Sequence, residues 1–399
     1  MVEEVGAGSP ILVHPALRRS SSPRLRLGPH SAKAVPVYPM KTFGLGVLGL
    51  GEGRSILSAA QRSPAWELVQ VCDRNEELCR QRVAEFRLPR YTTSYDDLLR
   101  DERVEVVGIY TPDALHAEHV TRALEAGKHV ICTKPFLTDL SQARPVLDAV
   151  RRSGRRVMVG QSSRFFAPFQ RQREHFASGA FGEIITVEAY YHADHRWFLQ
   201  KDWAKLDSFK WLYGCISHPA DLLRWYLPDV AEVTGYADLS PNGRQLGLVH
   251  PDTFHYVLRT TNGRIARVSG TYSSPVVPLV RDSNMSCVLR CTEGASQADY
   301  YDLRYAWKIG SASQLETFED QDDHYFRFGG HSHHAGEYQN YLEYFARCLS
   351  SGEAPQPGPE EGIVTVAVLQ AMEEASLHGS PVRVADVLAR HQLGALAGA

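Results

Sequence analysis

From Phe43 to about Ser162 the chain alternates short apolar runs with stretches in which apolar positions recur every three or four residues. The runs Gly44–Leu50, Glu67–Cys72, Val104–Tyr110, His129–Cys132 and Arg156–Gly160 read as buried strands. Helices are predicted between them. One covers Ser55–Arg62 and ends before Ser63-Pro64; the next is capped by Asn75, with Glu76 and Glu77 placed to complement the helix dipole. A third starts at Ser94, with Asp97 in the capping-box position, and a fourth runs from about Leu115 to Ala126, where Gly127 can take the left-handed conformation that ends a helix. One more helix separates the last two strands. Strands separated by helices imply right-handed crossovers and a parallel sheet covered on both faces.

After about Arg164 the rhythm changes. Ile184–Tyr191, Glu232–Tyr236, Phe254–Thr260, Arg264–Tyr272 and Met285–Arg290 read as strands with little helix between them, which predicts a second, mostly antiparallel sheet. Helices near Glu337–Leu349 and Val364–Leu377 close the chain before an Ala/Gly/Leu tail. The expected class is therefore α/β. The division expected is a disordered leader (1–39), a cofactor domain (40–162), a substrate and oligomerisation domain (163–385) and a flexible tail (386–399).

Composition narrows the function without naming it. The 399 residues carry 43 Lys+Arg against 46 Asp+Glu, a formal charge of −3, which gives no broad basic field for nucleic acid. Seven scattered cysteines suggest neither a disulfide framework nor a paired-CxxC zinc site, which fits a reducing, cytoplasmic setting. No apolar run is long enough to span a membrane. Residues 1–39 hold six prolines among basic and serine-rich stretches without any sustained period, so folded sequence is expected to begin near Met40.

Gly49-Leu50-Gly51-Glu52-Gly53-Arg54 lies between the first strand and the first helix. Glycines there let the backbone turn sharply and approach a pyrophosphate, whose charge is favoured by the unpaired N–H groups of the helix start. A strict GxGxxG would place its third glycine at Arg54, so Gly53 stands one position early, and Arg54 and Ser55 are candidate phosphate contacts. Asp73 ends the second strand, where a carboxylate can bind ribose hydroxyls and repel a 2′-phosphate, favouring NAD. Arg74 beside it could receive that phosphate, so NADP stays possible. Thr111-Pro112-Asp113 with His116, then Ala126-Gly127-Lys128-His129-Val130, then Thr133-Lys134-Pro135 follow in order at or near the ends of successive strands, where parallel sheets bind ligands.

With these segments the chain resembles the glucose-fructose oxidoreductase/inositol dehydrogenase (Gfo/Idh/MocA) family. The resemblance extends through Gly160-Gln161 with Arg164, Gly179-Ala180-Phe181-Gly182-Glu183, His218 with Asp221, and Ala375-Ser376 to Pro381-Val382. It implies an N-terminal Rossmann domain and a C-terminal α/β domain whose large open sheet lines the substrate site and often forms an oligomer contact, so a homo-oligomer (dimer or tetramer) is expected. It also implies that Lys134, matching the lysine of the family's EKP motif, and His218, matching the histidine of its DxGxHxxD motif, carry the chemistry. A histidine titrates near neutrality and suits removal of a hydroxyl proton, while a lysine stabilises the negative charge developing on that oxygen. Gly49, Gly51, Gly53, Arg54, Ser55, Asp73, Arg74, Thr111, Pro112, His116, Lys134 and Gln161 are the expected cofactor residues.

Three positions depart from the family pattern, Ile216 standing at the glycine of DxGxHxxD. Thr133 replaces the glutamate before the lysine, and Gly214 stands where DxGxHxxD has its first aspartate. Asp221, three residues beyond His218, can share a helix face with it. Tyr191, His192 and His195, with Trp211 and Tyr213 ahead of His218, are candidates for sugar recognition, although strand alternation lets only about half of strand positions face a ligand. Arg164, Asp221 and His333 complete the substrate candidates. The run His331-Ser332-His333-His334 has no companion ligand set at metal-binding spacing, so no metal is expected. The reading is an NAD(P)-dependent oxidoreductase acting on a hydroxyl or keto carbon of a sugar, glycoside or cyclitol. The alternative is NAD-assisted glycoside cleavage or elimination through transient oxidation, motivated by the altered motif at Gly214. A non-catalytic NAD-binding regulator is the third possibility.

Overall fold

The computed structural model describes residues 41–198, 201, 205–275, 283–300, 303–318 and 336–397. The expected leader and the His331–His334 run, His333 included, lie outside these.

The first half follows the predicted rhythm. Strands β1 (Phe43–Leu48), β2 (Trp66–Cys72), β3 (Tyr91–Thr92), β4 (Val106–Ile109), β5 (His129–Thr133) and β6 (Val157–Gly160) form one parallel sheet in the order β3-β2-β1-β4-β5-β6. Helices α1 (Arg54–Gln61), α2 (Glu76–Phe86), α3 (Tyr95–Arg100), α4 (His116–Glu125) and α5 (Ala143–Ser153) make the crossovers. The expected caps are in place: Asn75 Oδ1 accepts from Leu78 N at 3.1 Å, Ser94 Oγ accepts from Asp97 N at 3.3 Å, and Gly127 has φ +74°. Every residue of β1 and β4 is buried, as a sheet covered on both faces requires. The strand order reverses between β1 and β4, opening a crevice at the carboxyl ends of the strands.

The second half builds a nine-stranded, mostly antiparallel sheet. Its strands are β7 (Ile184–Ala193), β8 (Val230–Asp238), β9 (Thr253–Thr260), β10 (Ile265–Thr271), β11 (Ser283–Cys291), β12 (Gly294–Asp299), β13 (Arg304–Ile309), β14 (Ala312–Thr317) and β15 (Val382–Arg383), in the order β14-β13-β12-β11-β7-β10-β9-β8-β15. Among the described residues of this sheet, only β7 and β10 pair in parallel. Strands β12 to β14 were not foreseen, nor were α6 (Ala167–Ala177) and α8 (Pro241–Gln245). Helices α6, α7 (Ser217–Tyr226) and α10 (Pro359–His378) pack against this sheet. Burial alternates along β9, where Phe254, Tyr256 and Leu258 are buried while Val257 is exposed.

Two boundaries differ from expectation. Helix α9 (Glu337–Ser351), expected in the substrate domain, returns to the parallel sheet. Its Tyr341, Leu342, Phe345 and Ala346 share an apolar cluster with Leu45, Ile56 and Trp66, and Trp66 Nε1 donates to the Leu342 carbonyl at 3.2 Å. The crossover helices after β1 and β2 leave part of that face uncovered, and a later amphipathic helix fills it. The tail expected to be flexible instead carries α11 (Val384–Arg390), with Val387, Leu388 and Leu393 buried against the main core. Phe345→Ala removes a fully buried ring stacked 6.4 Å from Trp66. We expect a loss of about 3–5 kcal/mol in unfolding free energy, read from chemical denaturation.

Candidate active site

The loop after β1 turns on glycines with separate duties. Gly49 has φ +88°, and a Cβ there would lie 2.5 Å from the Tyr110 carbonyl oxygen. A Cβ on Gly53 would lie 2.2 Å from the Gly49 carbonyl, so Gly53 supplies the close packing that strict spacing assigns to position 54. A Cβ on Gly51 would meet nothing within 4 Å, so the backbone there faces open space. Helix α1 begins without a side-chain cap. Asp73 braces the loop: Oδ2 accepts from Leu50 N at 2.8 Å and Oδ1 from Asn75 N at 2.9 Å. Each oxygen keeps a lone pair for a ribose hydroxyl. Arg74 is exposed beside it.

Some expected cofactor contacts are otherwise engaged. Arg54 donates through Nε to Glu85 at 2.6 Å on α2, and Arg82 holds the same carboxylate at 2.8 Å while donating to the Leu50 carbonyl at 3.1 Å. Ser55 is buried beneath the loop. His116 is fully buried, its ring nitrogens 2.7 Å from the Pro135 carbonyl and 3.0 Å from the Thr111 carbonyl, so it straps the two loops together rather than facing a ligand. The Thr111 hydroxyl lies 2.9 Å from His119 Nδ1, and Pro112 is exposed at the start of a 3₁₀ turn. Gln161 follows β6; it is buried, and its Oε1 has no hydrogen-bond partner. The open backbone at Gly51, the uncapped helix start and this orphaned amide oxygen fit a dinucleotide along the carboxyl ends of the strands.

Lys134 leaves the end of β5 and donates through Nζ to the carbonyl of Gly214. That carbonyl belongs to a single π-helical stretch, Leu212–Ile216, that leads directly into α7. A backbone acceptor thus stands where the family motif has a carboxylate. His218 sits in the first turn of α7 with Nδ1 3.3 Å from Ser163 Oγ, and the Tyr191 ring lies edge-on to it at 5.8 Å.

His195, just after β7, joins the same cluster. Its ring lies 5.9 Å from Tyr272, stacked, 5.6 Å from Trp211, tilted by 30°, and 5.8 Å from Tyr191, edge-on. Burial first, and the Lys134 charge second, lower its pKa from 6.5 to about 3, with Asp194 opposing. The His195 imidazole is therefore held neutral near Lys134. Cys215, beside Gly214, has its thiol pushed up to about 12 by burial and is inert as a nucleophile.

Four substrate candidates lie elsewhere. His192 pairs in register with Thr271 and Asn284, one position from Tyr191, so it points to the opposite face of the sheet, towards His255 and Arg267. Arg164 and Asp221 are spent on each other: Nε and Nη2 donate to the two carboxylate oxygens at 2.6 and 2.8 Å, with both side chains buried. Tyr213 donates to Glu373 on α10 at 2.9 Å. Sequence reasoning missed Ser163 and Tyr272 as neighbours of His218 and His195. Adjacency to Gln161 is the only signal for Ser163, and an aromatic at a strand's end the only one for Tyr272.

A parallel sheet with its strand-order reversal, a glycine loop at a helix start and a lysine reaching to the helical turn before α7 define a dinucleotide-linked oxidoreductase. Residues 43–161 match the family described as "Oxidoreductase family, NAD-binding Rossmann fold", and residues 169–296 match the "GFO/IDH/MocA C-terminal domain". The chain belongs to the GFO/IDH/MocA oxidoreductases and carries their NAD-binding Rossmann domain. It is 26% identical over 355 residues to D-xylose 1-dehydrogenase (NADP(+)) 2 of Haloferax volcanii, covering 86% of this chain and 99% of that one. It is 24% identical over 294 residues to levoglucosan dehydrogenase of Pseudarthrobacter phenanthrenivorans, covering 65% and 74%. The solved structure of levoglucosan dehydrogenase in complex with NADH superimposes with a TM-score of 0.75 at 20% identity, covering 86% of this chain and 99% of that one, which shows the shared fold. No helix among the described residues is long and apolar enough to cross a membrane.

The unfolded chain protonates His195 near its ordinary 6.5, the folded protein only near 3. Its contribution to stability is therefore complete above about pH 6.5 and is lost as pH falls towards 3. In histidine-resolved NMR, the His195 ring is expected to stay neutral at pH 5; protonation there would contradict the buried, Lys134-facing environment.

Proposed function

We propose that the chain transfers hydride between a nicotinamide and a hydroxyl or keto carbon of a sugar, glycoside or cyclitol. The observation that carries this reading is the reach of Lys134 from the parallel sheet to the turn that delivers His218. Lys134 donates a charge-assisted hydrogen bond to the reacting oxygen and stabilises negative charge there as the C–H bond breaks. His218, oriented at Nδ1 by Ser163, takes the hydroxyl proton. The nicotinamide, when bound, accepts the hydride or returns it. Tyr191 and His195, backed by the buried Trp211, supply an apolar wall with polar edges, a surface suited to a neutral ring bearing hydroxyls. The xylose and levoglucosan dehydrogenases among the relatives support a carbohydrate substrate.

For the cofactor we propose NAD in preference to NADP, because a carboxylate at Asp73, after the second strand, suits ribose hydroxyls and would repel a 2′-phosphate. The gap at Gly214 that motivated a redox-neutral alternative is filled by the backbone carbonyl. We propose a homo-oligomer as the working form, since Tyr236, Val257, Ile265 and Leu315 stand exposed on the second sheet.

Nicotinamide absorbance with NAD or NADP and a panel of aldoses, cyclitols and glycosides tests this reading. Steady reduction of NAD by at least one of them is expected; silence across the panel overturns it. Lys134→Ala is expected to slow hydride transfer by about two to four orders of magnitude. NAD affinity, measured by fluorescence titration, should be nearly unchanged, and a parent-like rate would remove Lys134 from the chemistry.

A further inference from the structure

Residues 211–226 run as one helical rod that opens into π geometry over Leu212–Ile216 and returns to α geometry at Ser217. In π register a carbonyl pairs with the N–H five residues on, and in α register with the N–H four residues on. For Gly214 the π partner is residue 219, and for Cys215 the α partner is residue 219. That residue is Pro219, buried within α7 and lacking an N–H. A proline ring also crowds the carbonyl four residues earlier, which favours a widened turn there. The helix therefore cannot use residue 219 to satisfy the Gly214 carbonyl, and that carbonyl is the one that accepts from Lys134. Gly214 suits the place for a second reason: a Cβ would lie 3.0 Å from the Phe209 ring, so a side chain there is crowded.

We propose that Pro219 is a positioning residue for the reaction: by withholding an N–H it widens the turn and leaves the Gly214 carbonyl to hold Lys134. Its effect on turnover rests on the proposed hydride transfer; its effect on geometry does not. The arrangement replaces a charged partner by a neutral one. Lys134 is aimed by a dipole at this position, and that bond does not neutralise its charge as a carboxylate there would.

Pro219→Ala gives residue 219 an N–H, and Pro219→Ser does so with a different side chain. In crystal structures of both full-length variants, regular α geometry through 212–226 is expected, with Lys134 Nζ off the Gly214 carbonyl. The thermal midpoint should be equal or higher, because a proline leaves a helix. On a substrate that the parent oxidises, kcat should fall about tenfold or more with KM little changed. A role in packing alone would tie lost activity to a lowered midpoint. A retained π turn with Lys134 still on Gly214 overturns the proposal, as does a displaced Lys134 with unchanged kcat. The crystallographic outcome is independent of turnover, so a parent inactive on every sugar sinks the substrate reading while the geometry still decides this one.

Discussion

An ammonium group drawn out of bulk water needs an acceptor, and the fold meets this need for Lys134 with a carbonyl from the other sheet's helix. The lysine is fixed at its root by β5 and the acceptor by the π turn before α7, so the bond ties the cofactor side of the crevice to the substrate side. Around it the electrostatics follow. His195 is held neutral by burial and by the same charge, and the Cys215 thiol is raised out of reach of ionisation by burial. The Lys134 ammonium is thus set beside a neutral imidazole and a neutral thiol, where it can meet charge developing on a bound oxygen.

The crevice is stiffened by a second link. Arg164, in the 3₁₀ turn after β6, forms a two-point ion pair with Asp221, one turn beyond His218, and also approaches Glu361 on α10 at 3.5 Å. Arg224 completes the network through the Glu361 carbonyl and Thr365, with burial lowering its pKa to about 10. Two buried charges in good geometry add little net stability over apolar packing, but separating them is costly. The pair therefore acts as a locator: it sets where α7 lies relative to Gln161 and Ser163, and so where His218 points.

The Rossmann half was readable because its signals are local. Asn75, Ser94 and Gly127 mark helix ends, and the apolar runs between them are too continuous for a half-exposed strand. The second half was less so. Strands β12 and β14 carry polar residues on both faces and present no clean alternation, β13 between them alternates over only six residues, and α6 is rich in Arg and Gln and has Pro168 in its first turn. At the site, Lys134 and His218 stood out through ordered motifs, but what surrounds them depends on contacts remote in sequence. Nothing local tells that Arg164 will meet Asp221, that Tyr213 will meet Glu373, or that His192 faces away while Tyr191 faces inward.

Helix α9 crosses back to the parallel sheet after the whole second sheet has been traced. Translation delivers the chain from its amino end, so the glycine loop, Asp73 and Lys134 emerge long before Tyr341 and Phe345, which complete the core beside Trp66. Until those residues leave the ribosome, one face of the nascent nucleotide domain stays apolar and open. This half, though made first, is finished near the end of synthesis, and a chain stopped short of α9 exposes the adhesive surface that chaperones recognise.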